Sequence, residues 1–318
     1  MKQSLCELLL DYFPRISEVE DFVSTSIANC VFNSFLSYTA IMLNIVSIHA
    51  IRKTSSLPKT LKTLLLSLAV SDVSVGLLVQ PFYISLLIKL SQENTPGCDT
   101  YKAFYFIGHL ISLASFLGVL AVSVDRFLAI HLHLRYQELV THKRVVAVVI
   151  SIWVLSVFVS FLLFWVPLDI YSLIIASIAV AGLVVTTMIY IRIYLAALRH
   201  KNQIQVLQVQ QVTQANEIAN FASLMKSAIG IFYVYLAFLI CYLPYVIGLA
   251  VFEIVGSSIT LKKLYFSFMT IVYLNSSLNP VIYCWTMRHI RCAVINILQN
   301  MSWFRDRASL APAGYTTR

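Results

Sequence analysis

The chain has 318 residues, 59% hydrophobic and only 12% charged. Its mean hydropathy of +0.82 lies outside the range of water-soluble domains, where charged residues alone are about a quarter. The solvent is therefore lipid, and the length suits one bundle of about seven spans of about 20 to 25 residues. A net charge of +9 is no sign of nucleic-acid binding here, because in a membrane chain the side on which Lys and Arg lie matters more than their sum.

The opening MKQSLCELLLDYFPR has a short apolar run broken by Glu7 and Asp11. It reads poorly as a signal peptide, so the first span is expected to direct insertion. Charge-poor stretches follow at Phe22–Ile51, Thr63–Ile88, Ala103–Val124, Val145–Leu168, Ile170–Ile191, Ser227–Phe252 and Leu264–Met287. Each can cross about 30 Å of hydrocarbon at 1.5 Å per residue. Pro167 and Asp169 mark a turn between the fourth and fifth.

Basic residues beside the spans, among them Arg52, Lys53, Arg135, Lys143, Arg144, Arg199, Lys226 and Arg288, crowd one side, while Lys89, Lys102, Lys262 and Lys263 lie on the other. The positive-inside rule puts the amino terminus outside and the tail in the cytosol. After the seventh span, MRHIRCAVINILQNMSWF carries basic and aliphatic residues at helical spacing, as an amphipathic helix on the inner membrane surface would. Cys292 on it reads equally as a palmitoylation candidate or a buried thiol, and RDRASLAPAGYTTR as disordered. The expected organisation is an all-α membrane protein: an extracellular segment over 1–27, a seven-helix bundle over 28–287, and a short amphipathic eighth helix with a cytosolic tail over 288–318.

Several polar groups sit where lipid penalises them. Asp72 lies about nine residues inside the second span, and an ionised carboxylate there costs about 2.5 to 3.5 kcal/mol, so it should face the bundle interior. Asn44, Ser115, Asn275, Ser276 and Asn279 are available partners. The cluster could hold a hydrated cation or be a hydrogen-bonded packing knot, and both readings stay open at this point. Asp125-Arg126 ends the third span at the inner boundary, where the arginine could stay wet and meet a partner's carbonyls or serve as a snorkelling anchor. Pro244 and Pro280 each remove a helix hydrogen bond and place kinks in spans six and seven.

Taken together, LAVSD (Leu68–Asp72), SVDRF (Ser123–Phe127), Trp153, FLICYLPY (Phe238–Tyr245) and NPVIY (Asn279–Tyr283) resemble the rhodopsin-like G-protein-coupled receptors, in order and spacing across nearly the whole chain. The resemblance implies that Arg126, Tyr190 and Tyr283 act in an activation switch, with Asp125, Asn279 and Pro280 in its motifs. It also implies that Phe238, Tyr242 and Pro244 form a switch and kink in the sixth helix. The inner face would admit a heterotrimeric G protein, with arrestin as a further partner, and sodium would bind at Asp72 and Ser115 with Asn275, Ser276 and Asn279. The protein would then sit in the plasma membrane.

Departures narrow the subfamily. Gly182 stands where the fifth helix normally has proline, and the loop around Pro167–Asp169 has no cysteine for Cys98. With ALRH and LMKSA at the inner ends of spans five and six, these features resemble the melanocortin, cannabinoid, lysophospholipid and adenosine receptor branch. The stretch DRFLAIHLHLRYQELVTHKRV is similar to melanocortin receptors, so a peptide-hormone receptor of that type is the alternative. The acidic trio that those receptors use is replaced by Phe82, Tyr101 and Tyr105. Gly108 stands where amine receptors have aspartate, Tyr273 where opsins have lysine, Leu249 where adenosine receptors have asparagine, and Tyr242 where tryptophan is usual. Leu224 replaces the acid that often pairs with Arg126, which predicts raised basal activity.

The outer half of the bundle offers Tyr101, Tyr105, His109, Ser112, Tyr242, Tyr245, Leu249 and Tyr273. The third-helix members recur with Gly108 at three- and four-residue steps, as one stripe. An aromatic lining with few hydroxyls and one imidazole suits a lipid-like or small uncharged ligand, or simply packs the bundle. Cys98 could pair with Cys6 or Cys30, tying the amino terminus over this mouth. An intramembrane hydrolase would need more histidines within the spans than His109. A transporter would favour internal repeats and midplane charges. A receptor, not an enzyme, is the strongest reading.

Overall fold

The computed structural model describes residue 9 and residues 11–92, 96–132, 135–206 and 213–309. Its long elements are all helices: α1 (Val19–Lys53), α2 (Lys59–Ser91), α3 (Cys98–His131), α4 (His142–Phe161), α5 (Leu168–Val206), α6 (Thr213–Val255), α7 (Ile259–Thr286) and α8 (Arg288–Ser309). A loop helix, Tyr136–Leu139, lies between α3 and α4.

Among the described residues, α1 to α6 are each long and apolar enough to cross a membrane. The remaining span, α7, has 28 residues, about 42 Å at helical rise. Its Asn275, Ser276, Ser277 and Asn279 are buried while Leu264, Val281 and Trp285 face outward. The polar face lowers the hydropathy of α7 without touching lipid, and the result is a seven-helix membrane bundle. On α1 and α4, Phe35 and Val154 are 65% and 62% exposed, the inverse of a soluble fold and natural where the surroundings are hydrocarbon.

The helix α3 packs on α2, α4, α5 and α6, and α7 closes the ring between α6 and α1. Ends are set by local chemistry. Thr141 and Ser258 accept N–H bonds from Arg144 and Leu261 at the starts of α4 and α7. Past the end of α6, Gly256 takes a φ of +85° and donates to the Phe252 carbonyl at 2.9 Å, a left-handed cap that a Cβ would oppose.

The helices run past the charge-poor stretches because terminal Lys and Arg side chains reach water while their backbone stays helical. The first helix starts at Val19, three residues ahead of the charge-poor stretch that opens at Phe22, and Asp72 lies about four residues deeper in α2 than expected. Just beyond it, α2 opens into a π turn at Val75–Val79, a feature common near functional sites. Residues 305–309, expected to be disordered, continue α8 to Ser309. Cys6 and residues 310–318 lie outside the described residues.

Candidate functional site

The functional residues fall into three layers along α3. At mid-depth, Asp72, Asn44 and Asn279 are fully buried and Ser115, Asn275 and Ser276 nearly so. Asn279 Nδ2 donates to Asp72 Oδ2 at 2.8 Å, and Ser276 also hydrogen-bonds the carboxylate. Asn44 donates instead to the Ser276 carbonyl at 2.8 Å, joining α1 to α7. Asp72 Oδ1, Asn275 Oδ1 and Ser115 Oγ are buried with no protein partner. Burial without a partner costs about 1 to 3 kcal/mol per group. One carboxylate with amide and hydroxyl oxygens is the donor set a hard monovalent cation accepts, so these residues fit sodium.

The layer away from the amino terminus is a clasp. Arg126 Nε donates to Asp125 Oδ2 at 3.0 Å, and its Nη2 reaches the same oxygen. The Tyr136 hydroxyl donates to Asp125 Oδ1 at 2.7 Å and lies 3.0 Å from Thr60 Oγ1 of α2. Burial and the neighbouring carboxylate push the Tyr136 phenol up to about 12, so it stays a protonated donor. Arg126 is 2% exposed, not wet as its boundary position suggests, and the carboxylate of Asp125 holds its guanidinium. Tyr136 and Thr60 escaped sequence reasoning, since nothing in RYQEL signals that its tyrosine turns inward.

Around the clasp, the Tyr190 hydroxyl lies 3.0 Å from Ser123 Oγ and its ring stacks on Tyr235 at 5.5 Å. Tyr283 is fully buried. Both tyrosines belong to the apolar cluster against which Leu224 packs. Higher up, the Phe238 and Tyr242 rings stack at 4.0 Å, Phe116 packs on Phe238 at 5.3 Å, and the Tyr242 hydroxyl bonds Ser112. Pro244 and Pro280 lie inside α6 and α7.

At the amino-terminal mouth, Tyr101, Tyr105 and Tyr273 are buried in one cluster, with Tyr245 and Leu249 packed against it. Tyr105 and Tyr265 hydroxyls meet at 2.9 Å. His109 sits between Tyr105 and Tyr171, with centroids 5.8 and 5.4 Å away. His109 Nδ1 and the Tyr171 and Tyr273 hydroxyls are buried without protein partners, which gives an aromatic lining three polar contacts to offer. Space remains beside Gly108, where nothing would lie within 4 Å of an added Cβ. Tyr171, at the start of α5, is an addition to the expected lining.

Cys98 is disulfide-bonded and Cys30 is a free thiol whose Sγ faces the Ile84 carbonyl across α2. Cys30 is thus excluded as the partner of Cys98, since its side chain points between α1 and α2. On α8, Cys292 is exposed and free rather than buried.

Residues 43–168 and 165–283 match the family described as 7 transmembrane receptor (rhodopsin family). The chain is 27% identical to octopamine receptor beta-1R of Drosophila melanogaster, over 86% of this chain and 61% of that receptor. It is also 27% identical to the histamine H2 receptor of Homo sapiens, over 77% and 74%. With adenosine receptor A2a of Homo sapiens it shares 24% over 89% and 74%. It therefore spans about three-fifths of the length of the octopamine receptor, and the three relatives are named for three different ligands. The match covers most of the bundle and includes the buried Asp72, Arg126 and Asn279 layers, and the chain belongs to the rhodopsin family of seven-transmembrane receptors.

Proposed function

We propose that the chain is a G-protein-coupled receptor of the plasma membrane, with its amino terminus outside and α8 in the cytosol. The observation that carries this is the Asp125–Arg126–Tyr136 clasp: a buried arginine held by its neighbour rather than by α6 can be released to a partner without unfolding a helix. The opened inner face would receive a heterotrimeric G protein, and arrestin would compete for it. Asp72, Ser115 and Asn275, whose oxygens are buried without protein partners, stand on α2, α3 and α7 and would hold sodium; the positive charge supplied there would favour the closed bundle.

The ligand in this reading is lipid-like or small and uncharged. The mouth offers aromatic area, one imidazole and phenol hydroxyls, and no carboxylate among the lining residues. The amine relatives' names do not transfer their ligands here, since Gly108 supplies no counter-ion. A melanocortin-like peptide ligand is disfavoured by Phe82, Tyr101 and Tyr105 in the acidic places, and transport by a bundle with one buried acid at mid-depth. Cys292, exposed on α8, is the proposed palmitoylation site.

Expression in cells carrying cyclic AMP, calcium and arrestin reporters tests the reading, wild type beside Arg126→Ala. A basal or ligand-evoked signal abolished by Arg126→Ala supports it. A signal untouched by that change would remove the clasp from the mechanism.

A further inference from the structure

The mouth is already filled by the chain itself. Phe13 is 2% exposed and Leu9 1%, although both precede the first helix, and both belong to the same cluster as Tyr101, Tyr105 and Tyr273. The Phe13 ring lies 4.3 Å from Tyr101, 6.4 Å from Tyr105 edge-on and 5.4 Å from Phe266 edge-on. Tyr12 stacks on Phe252 at 4.5 Å and tilts against Tyr265 at 5.5 Å, so adjacent residues grip α3, α6 and α7 together.

Polar contacts hold this arm at its base. Lys262, 1% exposed, donates to Glu18 Oε2 at 2.8 Å, and the same oxygen accepts the Arg15 N–H at 2.8 Å. Ser257 donates to the Asp11 carbonyl at 3.3 Å. A terminal segment buried this deeply, with an ion pair whose lysine is out of solvent, is docked cargo rather than a loose end, since termini are poorly ordered unless tied down.

We propose that this arm is an internal occupant of the ligand cavity, with Phe13 filling the slot between Tyr101, Tyr105 and Phe266, and that an external ligand binds by displacing it. The chemistry of that slot names the displacing group: an aromatic ring or short acyl segment of about the bulk of a phenylalanine side chain, uncharged, with a polar end for His109, Tyr171 or Tyr273. The apparent affinity of any ligand is lowered by the fraction of receptors in which the arm is docked. That the cavity takes a ligand rests on the receptor reading; that the arm fills it does not.

The test needs no ligand. Ser112→Cys places a near-isosteric thiol below Tyr105 and His109, and a positively charged, membrane-impermeant methanethiosulfonate is applied to intact cells. The labelling rate is corrected with the receptor that keeps Ser112. With the arm intact, labelling should be slow; with Leu9→Ala and Phe13→Ala it should rise at least about tenfold, because large-to-small changes remove most of the docking contacts. Phe13→Leu, which keeps an apolar plug, should stay within about threefold of the intact arm. If the double variant fails to reach the surface, Phe13→Ala alone has to show the rise. Equal rates with and without Phe13 would overturn the proposal. A rise in rate with no signal in any reporter would leave the arm in place as the occupant and count against the receptor reading alone.

Discussion

The Tyr136 hydroxyl donates to Asp125 Oδ1 while Arg126 takes Oδ2, so both oxygens of one buried carboxylate are engaged by groups on different elements. A hydrogen bond to a charged group contributes about 1.5 to 3 kcal/mol. Tyr136→Phe should therefore loosen the clasp and raise basal signalling about five-fold or more, measured against Arg126→Ala as zero. Because the phenol is pushed up to about 12, the effect of Tyr136→Phe should be the same from pH 6 to about pH 8. An unchanged basal signal would mean the bond does not restrain Arg126.

Asp72→Asn removes the only charge in the mid-depth cluster of Asn44, Ser115, Asn275, Ser276 and Asn279. Purified wild-type receptor should melt at a higher temperature in sodium chloride than in choline chloride of equal strength. A cation at ten times its Kd contributes about 1.4 kcal/mol. The variant should show no difference between the salts. An equal sodium effect in both proteins would place the ion elsewhere or nowhere.

Gly182 stands against the ring of Phe116: an added Cβ would lie 2.7 Å from its Cε1. Phe116 is itself buried between Phe238 and α4, so it has little room to retreat. Gly182→Ala should cost about 1 to 3 kcal/mol, read as a lower melting temperature, and Phe116→Leu should recover part of it. An alanine as stable as glycine would show that this packing yields.

Burial alone would raise the Glu18 carboxyl, yet the Lys262 ammonium and the Arg15 N–H hold it below its ordinary value. A carboxyl lowered in the folded state adds stability above its unfolded pKa and loses it as pH falls through the folded one. Glu18→Gln leaves the ammonium of Lys262 buried and uncompensated and should destabilise by about 1 to 3 kcal/mol at pH 7. The gap between variant and wild type should close as pH falls below about 4. A gap that does not change with pH would exclude the ion pair as its cause.

The spans and the Asp72–Asn279 pairing were legible because lipid penalises charge so heavily that a lone aspartate must find polar partners on neighbouring helices. The seventh helix was legible despite its low hydropathy because Leu264–Met287 carries no charge. What stayed hidden depended on segments outside the spans. The carboxylate that holds Arg126 is also held by Tyr136, eleven residues on from Asp125 in a loop. No periodicity marks Phe13 as core, and Cys30 and Cys98 carry no signal of which thiol is bonded. Gly182 was visible as a departure, but its purpose, room for Phe116, needs the packing.

The end of the bundle bearing Arg126 is the surface expected to activate a G protein. Receptor purified into lipid nanodiscs and mixed with a panel of heterotrimeric G proteins should speed guanine-nucleotide exchange on at least one, and Arg126→Ala should return that rate to the receptor-free value. Exchange that stays at the receptor-free rate on every G protein, with Tyr136→Phe included to loosen the clasp, would mean that this end of the bundle does not activate a G protein.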